Sequence, residues 1–282
     1  MEVSWSLVFY TLFVGLGMGA FGYVAITEWL GKAKRSRLAG SVIALVAMIV
    51  GGISSALHLG HVERVANVLA NLSSNIAQEL ILVIAVGAFV VLYIILLQVG
   101  ASDILRKIVA TLGLIAAIGL AFMNGQIYVL QARPAWNTIL WPLIYTSSAA
   151  VLGLFAMYVW TILRKEEEEG VIKGLNSGVL VAVAVQAVLV IVYVIYLAMA
   201  PFQAESRSPM RLLGGDLALL FWLGVVVLGL IIPLLLTFRS RTAKAETSFL
   251  TTAVVGLLCA FVGAVAIRMI MYGLGTSIQQ FL

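Results

Sequence analysis

The sequence has few charged residues, two histidines and a single cysteine. Only 10% of its 282 residues are Asp, Glu, Lys or Arg, whereas soluble domains carry about 25%. Apolar residues make up 63% of the chain, and the mean hydropathy is +1.13. These values exclude an ordinary soluble globule and predict an integral membrane protein.

The scarcity of cysteine and histidine also excludes several cofactor sites. Cys259 lies in an apolar segment, where a lone thiol packs as a small hydrophobe, while an iron–sulfur cluster needs about four ligands. His58 and His61 are three residues apart, on one side of a helix end, so they cannot ligate one haem from opposite faces. Ligation of haem by one histidine and a methionine is the alternative. We expect neither haem nor an iron–sulfur cluster on this chain.

Eight apolar segments are long enough to cross a bilayer, which requires about 20 residues. Alternating β-barrel patterning is absent, so helices must satisfy the backbone. The predicted fold is all-α: a bundle of eight transmembrane helices forming one domain over residues 1–282. Gly15, Gly17, Gly19 and Gly22 are expected to permit close helix packing. The predicted spans are 6–30, 38–60, 78–98, 108–132, 139–163, 175–199, 214–238 and 247–272.

Lysine and arginine are distributed unevenly between the two sets of loops. The loops after the odd-numbered spans hold most of them, which places these loops in the cytoplasm and both termini outside. The net charge of +5 forms no basic stripe, so no nucleic-acid partner is expected. The outer stretches 133–138 and 201–211 are candidate docking loops. The inner set is Lys32, Lys34, Arg35, Arg37, Arg106, Lys107, Arg164, Lys165, Lys173, Arg239, Arg241 and Lys244, against Arg64, Arg133, Arg207 and Arg211 outside.

The densest polar cluster near any span is formed by His58, His61, Glu63, Arg64 and Glu79. Ionisable groups at membrane depth are costly and usually face a cavity or a partner. This clustering indicates proton-coupled chemistry at the outer face. His58 could accept a proton near neutral pH while it bonds an oxygen substituent, or could be an interfacial residue bonded to a carbonyl.

Other charged residues also have two interpretations. Glu79 is either a helix N-terminal acid stabilised by the helix dipole or a proton acceptor beside a redox group. Arg64 is either a loop cation or a partner for Glu79 or for another subunit. Arg268 follows a long apolar run and either snorkels to the interface or stabilises negative charge that develops as protons leave. Glu28, at the inner end, is expected to pair with Lys32 or the interface; an inward proton path is the alternative.

Four sequence motifs keep a consistent order and spacing along the chain. They are HLG at His58–Gly60 with Arg64, Asn67, Leu69 and Gln78–Glu79, then Phe9–Phe21, Pro134–Thr138 and Arg268–Gly273. Through these motifs the whole chain resembles the membrane-anchor subunit of DMSO reductase-type molybdoenzymes (the DmsC family). His61 departs from that family's pattern, which commonly has a small or basic residue there.

The resemblance implies a function. Such subunits lie in the prokaryotic inner membrane, anchor an iron–sulfur subunit and a molybdopterin catalytic subunit, and oxidise menaquinol in anaerobic respiration. His58 and Glu79 correspond to the family's essential histidine and glutamate, and Arg64 and Arg268 are further candidates for quinol binding. The same site could instead reduce quinone. A passive anchor and a transporter are the other classes, although the sequence has no inverted repeat.

Overall fold

The computed structural model describes residues 3–57, 67–164, 169–199, 208–241 and 246–275. These ranges are helical and contain no strand, and eight helices in them are long and apolar enough to span a membrane. The predicted all-α membrane fold is therefore confirmed. The spanning helices are α1 (Trp5–Leu30), α2 (Ser36–Ala56), α3 (Asn75–Gln98), α4 (Asp103–Gln126), α5 (Leu140–Arg164), α6 (Glu169–Met199), α8 (Leu220–Ser240) and α9 (Glu246–Leu274), with a short α7 (Ser208–Leu213).

Polar residues and glycine set several helix ends. The Ser74 hydroxyl accepts a hydrogen bond from the Ala77 amide at the start of α3, and Ser102 caps α4 in the same way. Each cap satisfies an amide that the helix itself leaves without a partner. At the carboxyl end of α1, Gly31 takes a left-handed conformation with a φ of 67°, which glycine adopts more easily than other residues.

Two helices, α4 and α8, stop short of their predicted limits, and both of these helix ends lie on the same side of the bundle. Helix α4 ends at Gln126 and not at residue 132, because the Tyr128 and Val129 amides turn back onto Gly125 and Gln126. Helix α8 begins at Leu220 and not at residue 214. The preceding residues form a turn in which a Cβ at Gly215 would lie 2.8 Å from the Arg211 Cα, and an ion pair between Arg211 and Asp216 closes this turn.

The helices form two groups of four. In the first, α1 packs against α2 and α4, and α3 packs against α4. In the second, α5 packs against α6 and α9, and α8 packs against α9 and α6. Helix α5 also contacts α1 and α4, so it joins the groups. We call the bundle end at which α1 begins and α9 ends the amino-terminal face, and the other end the opposite face.

Glycine permits two very close helix approaches. A Cβ at Gly19 of α1 would lie 2.0 Å from the Ala149 carbonyl oxygen of α5. Likewise, a Cβ at Gly263 of α9 would lie 2.2 Å from the Gly229 Cα of α8. The expected role of Gly19 in close packing is confirmed. Gly229 belongs to a π-helical stretch, Leu220–Ile231, which continues as an α-helix from Ile232.

Candidate functional site

Arg268 is a buried cation in the apolar helix α9, with only 1% of the residue exposed. Its Nε donates to the Thr11 hydroxyl at 2.7 Å, and one Nη donates to the Thr11 carbonyl at 3.1 Å. The other Nη donates to the Ala264 carbonyl at 3.0 Å and the Ser148 hydroxyl at 3.4 Å. Arg268 therefore does not snorkel to the interface. Within the described residues it is held by neutral oxygens and not by a carboxylate.

Aromatic rings surround this guanidinium. Its Cζ lies 4.6 Å from the centroid of the Tyr145 ring, a cation–π contact that is strong in a desolvated site. The hydroxyls of Tyr128 and Tyr272 are 3.1 Å apart, and the Tyr128 ring packs against Trp136 and Tyr145. Burial raises the pKa of the Tyr128 phenol, which lies beyond the end of α4. Its proton therefore stays on the oxygen and is available for hydrogen bonding.

Glu79 places a carboxylate beside these rings. The residue lies in the second turn of α3 and is 7% exposed, so it is more deeply buried than an ordinary helix-terminal acid. The Tyr10 hydroxyl of α1 donates a hydrogen bond to it, and it is within electrostatic range of Tyr128 and Tyr145. Its Oε1 has no hydrogen-bond partner among the described residues. A buried acceptor of this kind is costly unless something donates to it.

Asn124 presents a second acceptor of the same kind. It is 2% exposed, and its Oδ1 also has no partner within the described part of the chain. Helices α3 and α4 run antiparallel through a short connection, so the start of α3 and the end of α4 lie at the same level. Glu79 and Asn124 are thus two buried, unsatisfied acceptors near the amino-terminal face.

The structure brings together only part of the predicted site. Glu79 and Arg268 lie at the same end of the bundle, and Tyr145 is close to both, in contact with Arg268 and within electrostatic range of Glu79. His58 and Arg64 lie outside the described residues, as does His61. Their proposed roles stay predictions.

Several members of the cluster were not predicted from sequence. Tyr10, Thr11, Tyr145 and Tyr272 resemble ordinary residues of apolar helices, and only their contacts across helices reveal them. Asn124 does carry a signal, because an amide inside a hydrophobic span requires partners.

Part of the loop 133–138, a candidate docking loop, packs inside the bundle, and its docking role stays a prediction. Its Ala135 and Trp136 are buried, and the Trp136 indole donates to the Met271 carbonyl at 2.6 Å. The Ala135 carbonyl accepts from the Tyr193 hydroxyl at 2.8 Å. The loop therefore satisfies a carbonyl near the end of α9 and binds α6, which makes it part of the bundle. Most of the other proposed docking loop, 201–211, lies outside the described residues.

Glu28 is the buried carboxylate of the opposite face. The Arg37 guanidinium and the Tyr93 hydroxyl each donate to its Oε2 at 2.6 Å, and Arg106 donates to its Oε1 at 3.4 Å. Its pairing with Lys32, expected from the sequence, is wrong. Arg37 is preferred because α2 packs directly on α1 and its guanidinium also binds the carbonyls of Thr27 and Lys32.

Comparison with known proteins gives two findings. The chain is similar to the C component of the selenate reductase of Mesobacillus selenatarsenatis, with 25% identity over 158 residues. That similarity covers 54% of this chain and only 37% of the relative's length. The second finding is a match over residues 1–274 to the family described as polysulphide reductase, NrfD. Together they support the broader resemblance to membrane subunits of molybdoenzyme-type reductases, and not the DMSO reductase anchor family in particular. Because the family match covers almost the whole sequence, the chain belongs to the polysulphide reductase NrfD family.

Proposed function

We propose that this chain is the membrane-anchor and quinol-oxidising subunit of a molybdopterin oxidoreductase complex in a prokaryotic inner membrane. The observation that carries the proposal is Glu79, a buried carboxylate with one oxygen unpartnered among the described residues. A second unsatisfied acceptor among the described residues, Asn124, lies at the same level of the bundle on α4. A quinol carries two hydroxyl donors, so its head group complements this pair of acceptors. A bound menaquinol would supply two electrons and two protons.

The residues of the cluster would divide the chemistry between them. The Glu79 carboxylate accepts one hydroxyl proton, with Tyr10 holding its second oxygen in place. His58 is proposed to accept the other proton. Negative charge that develops on the ring oxygens is stabilised by Arg268, as preorganised donors do in a site without water. An arginine has five N–H donors. The four contacts of Arg268 with the described residues leave one Nη–H for a ligand oxygen.

The electrons and protons leave by different routes. The electrons pass to an iron–sulfur subunit docked at the amino-terminal face, which we place outside, and from there to a molybdopterin catalytic subunit. The protons leave on the same side, so the step is electroneutral. The name of the selenate reductase relative supports membership of a reductase complex. Selenate and DMSO are two candidate terminal substrates, one suggested by that relative and one by the motifs of the DMSO reductase anchors.

The test uses membranes that contain the complex with wild-type chain, Glu79→Gln or the control Glu169→Gln. Glu169 is an exposed carboxylate at the opposite face, 73% exposed in its side chain, where it pairs with Lys173. Removing a general base typically costs about 10²–10⁴ in rate. We expect Glu79→Gln to lose menaquinol oxidation by a factor in that range, with the control unchanged. Saturable fluorescence quenching by a menaquinol-analogue inhibitor should also weaken in His58→Ala.

Three results would reject parts of the proposal. Normal quinol turnover in a His58→Ala, Glu79→Gln double variant would refute the mechanism. Equal, unsaturable partitioning of the inhibitor with and without the chain would show a passive anchor. Quinone reduction faster than quinol oxidation in the intact complex would show that the same site operates in the opposite direction.

A further inference from the structure

A partly enclosed apolar groove lies between α1, α4 and α5, where the two helix groups meet. Its volume is about 210 Å³. Small residues on all three helices create it, since a larger side chain at these positions would fill the space. It extends along α1 from Met18 to Ile26, about 12 Å at 1.5 Å per residue. The lining includes Gly22, Ile26, Ala117, Ala121, Thr146 and Ala150.

The groove lies on the same side of α1 as the buried arginine. Thr11, Gly15, Met18 and Gly22 follow one another at intervals of four, three and four residues, which places them on one helix face. Thr11 holds Arg268, and a Cβ at Gly15 would lie 4.0 Å from an Nη of that arginine. Gly22 lines the groove. The helix face that binds Arg268 therefore continues into the groove.

The other two helices show the same arrangement. On α4, Ala117, Ala121 and Asn124 are four and three residues apart, and the first two line the groove. Asn124 carries the unsatisfied buried Oδ1. On α5, Tyr145 stacks on Arg268 and Ala149, four residues later, lines the groove. On α4 and α5 the polar residue lies within one turn of the groove's end nearer the amino-terminal face, while on α1 Thr11 lies seven residues, about 10 Å, before Met18.

We propose that this groove holds the isoprenoid tail of the quinol while its head group lies among Glu79, Asn124 and Arg268. The inference rests on the proposed function. An amphiphile with a hydroxyl-bearing head and an apolar tail fits an apolar groove that ends at a buried acceptor lacking a donor among the described residues. A phospholipid acyl chain entering from the opposite face would fill the groove but would leave the Asn124 Oδ1 without a donor.

Gly22→Leu tests the inference because the change adds bulk inside the groove. A Cβ at Gly22 meets only Leu114 at 3.7 Å, so the backbone accepts a side chain and the rest of the leucine must enter the groove. Ala150→Leu does the same from α5 and covers the case in which the first variant folds poorly. The matched control is Gly87→Leu on α3, where a Cβ meets nothing within 4 Å.

The measurement is saturable binding and turnover in membranes that contain the complex. It compares two quinols: a naphthoquinol that bears an isoprenoid tail, and menadiol, which has the same ring without the tail. Forcing extra side-chain volume into an occupied site is commonly destabilising. We expect the Kd of the tailed quinol to rise about tenfold in Gly22→Leu, with menadiol unchanged and the control unchanged for both.

The outcomes separate the two proposals. If neither quinol binds saturably to the wild type, the proposed function fails. If both bind and Gly22→Leu affects them equally or not at all, the groove inference alone is overturned. It is also overturned if Gly22→Leu releases a co-purifying phospholipid while the tailed quinol binds as before, since the occupant is then an acyl chain.

Discussion

Replacing Glu28 by alanine should destabilise the bundle strongly. This carboxylate is 2% exposed and accepts hydrogen bonds from α2, α3 and α4, through Arg37, Tyr93 and Arg106. Arg37 is itself only 3% exposed. The substitution removes the anion and leaves a buried guanidinium without its charge partner.

The expected loss of stability depends on whether the site behaves as a buried ion pair or as a set of interhelical hydrogen bonds. Breaking a buried ion pair on one side costs about 3–5 kcal/mol in soluble proteins. Interhelical hydrogen bonds in membranes average only about 0.6 kcal/mol, because the separated helices also find partners. Arg37 keeps its bonds to the Thr27 and Lys32 carbonyls, which further limits the loss. We therefore expect a loss near the lower limit, about 3 kcal/mol.

The assay is reversible unfolding in mixed micelles by titration with SDS, followed by tryptophan fluorescence. The control is Glu169→Ala, whose exposed pair with Lys173 at 2.7 Å should contribute little to stability, as solvent-exposed ion pairs do. In the double variant Glu28→Ala, Arg37→Ala the loss of stability should be smaller than the sum of the two single losses, because both substitutions break the same ion pair. A Glu28→Ala protein within about 1 kcal/mol of the control would refute the reasoning.

Two further predictions concern packing and pH. Gly19→Ala should reduce Tm markedly because its Cβ would lie 2.0 Å from the Ala149 carbonyl oxygen. The control is Gly52→Ala, where a Cβ meets nothing within 4 Å, and this change should be neutral or stabilising by up to about 1 kcal/mol. At the amino-terminal face, hydrogen bonds from Arg211 hold the pKa of the Asp216 carboxyl below its usual 3.8. The measurement compares the unfolding of wild type and Asp216→Asn at several pH values. The ionised Asp216 carboxylate should stabilise the wild type by less than about 1 kcal/mol above pH 3.8. This stabilisation should disappear as the pH falls through the lowered pKa of Asp216 in the folded state.

Hydropathy sufficed for the fold because each span must satisfy its own backbone in lipid, and the eight predicted helices are present. It also made Glu79 and Arg268 candidates, since an ionisable group in an apolar run needs a partner, and both residues are buried. It did not identify Thr11 or Tyr145, because those residues become part of the site only through contacts across helices. Thr11 and Arg268 are 257 positions apart, and nothing in either local sequence encodes their hydrogen bond.

The two buried carboxylates show why chemistry is expected at one face only. Glu28 accepts from three donors through both oxygens, so its network is satisfied and contributes rigidity. Glu79 keeps one oxygen unpartnered among the described residues, the state that a donor ligand would resolve. On α1 the stretch between Thr11 and Tyr23, about 18 Å long, has no ionisable side chain. Under the proposed function, a proton accepted at Glu79 would therefore leave toward the amino-terminal face and not along this helix, as electroneutral oxidation requires.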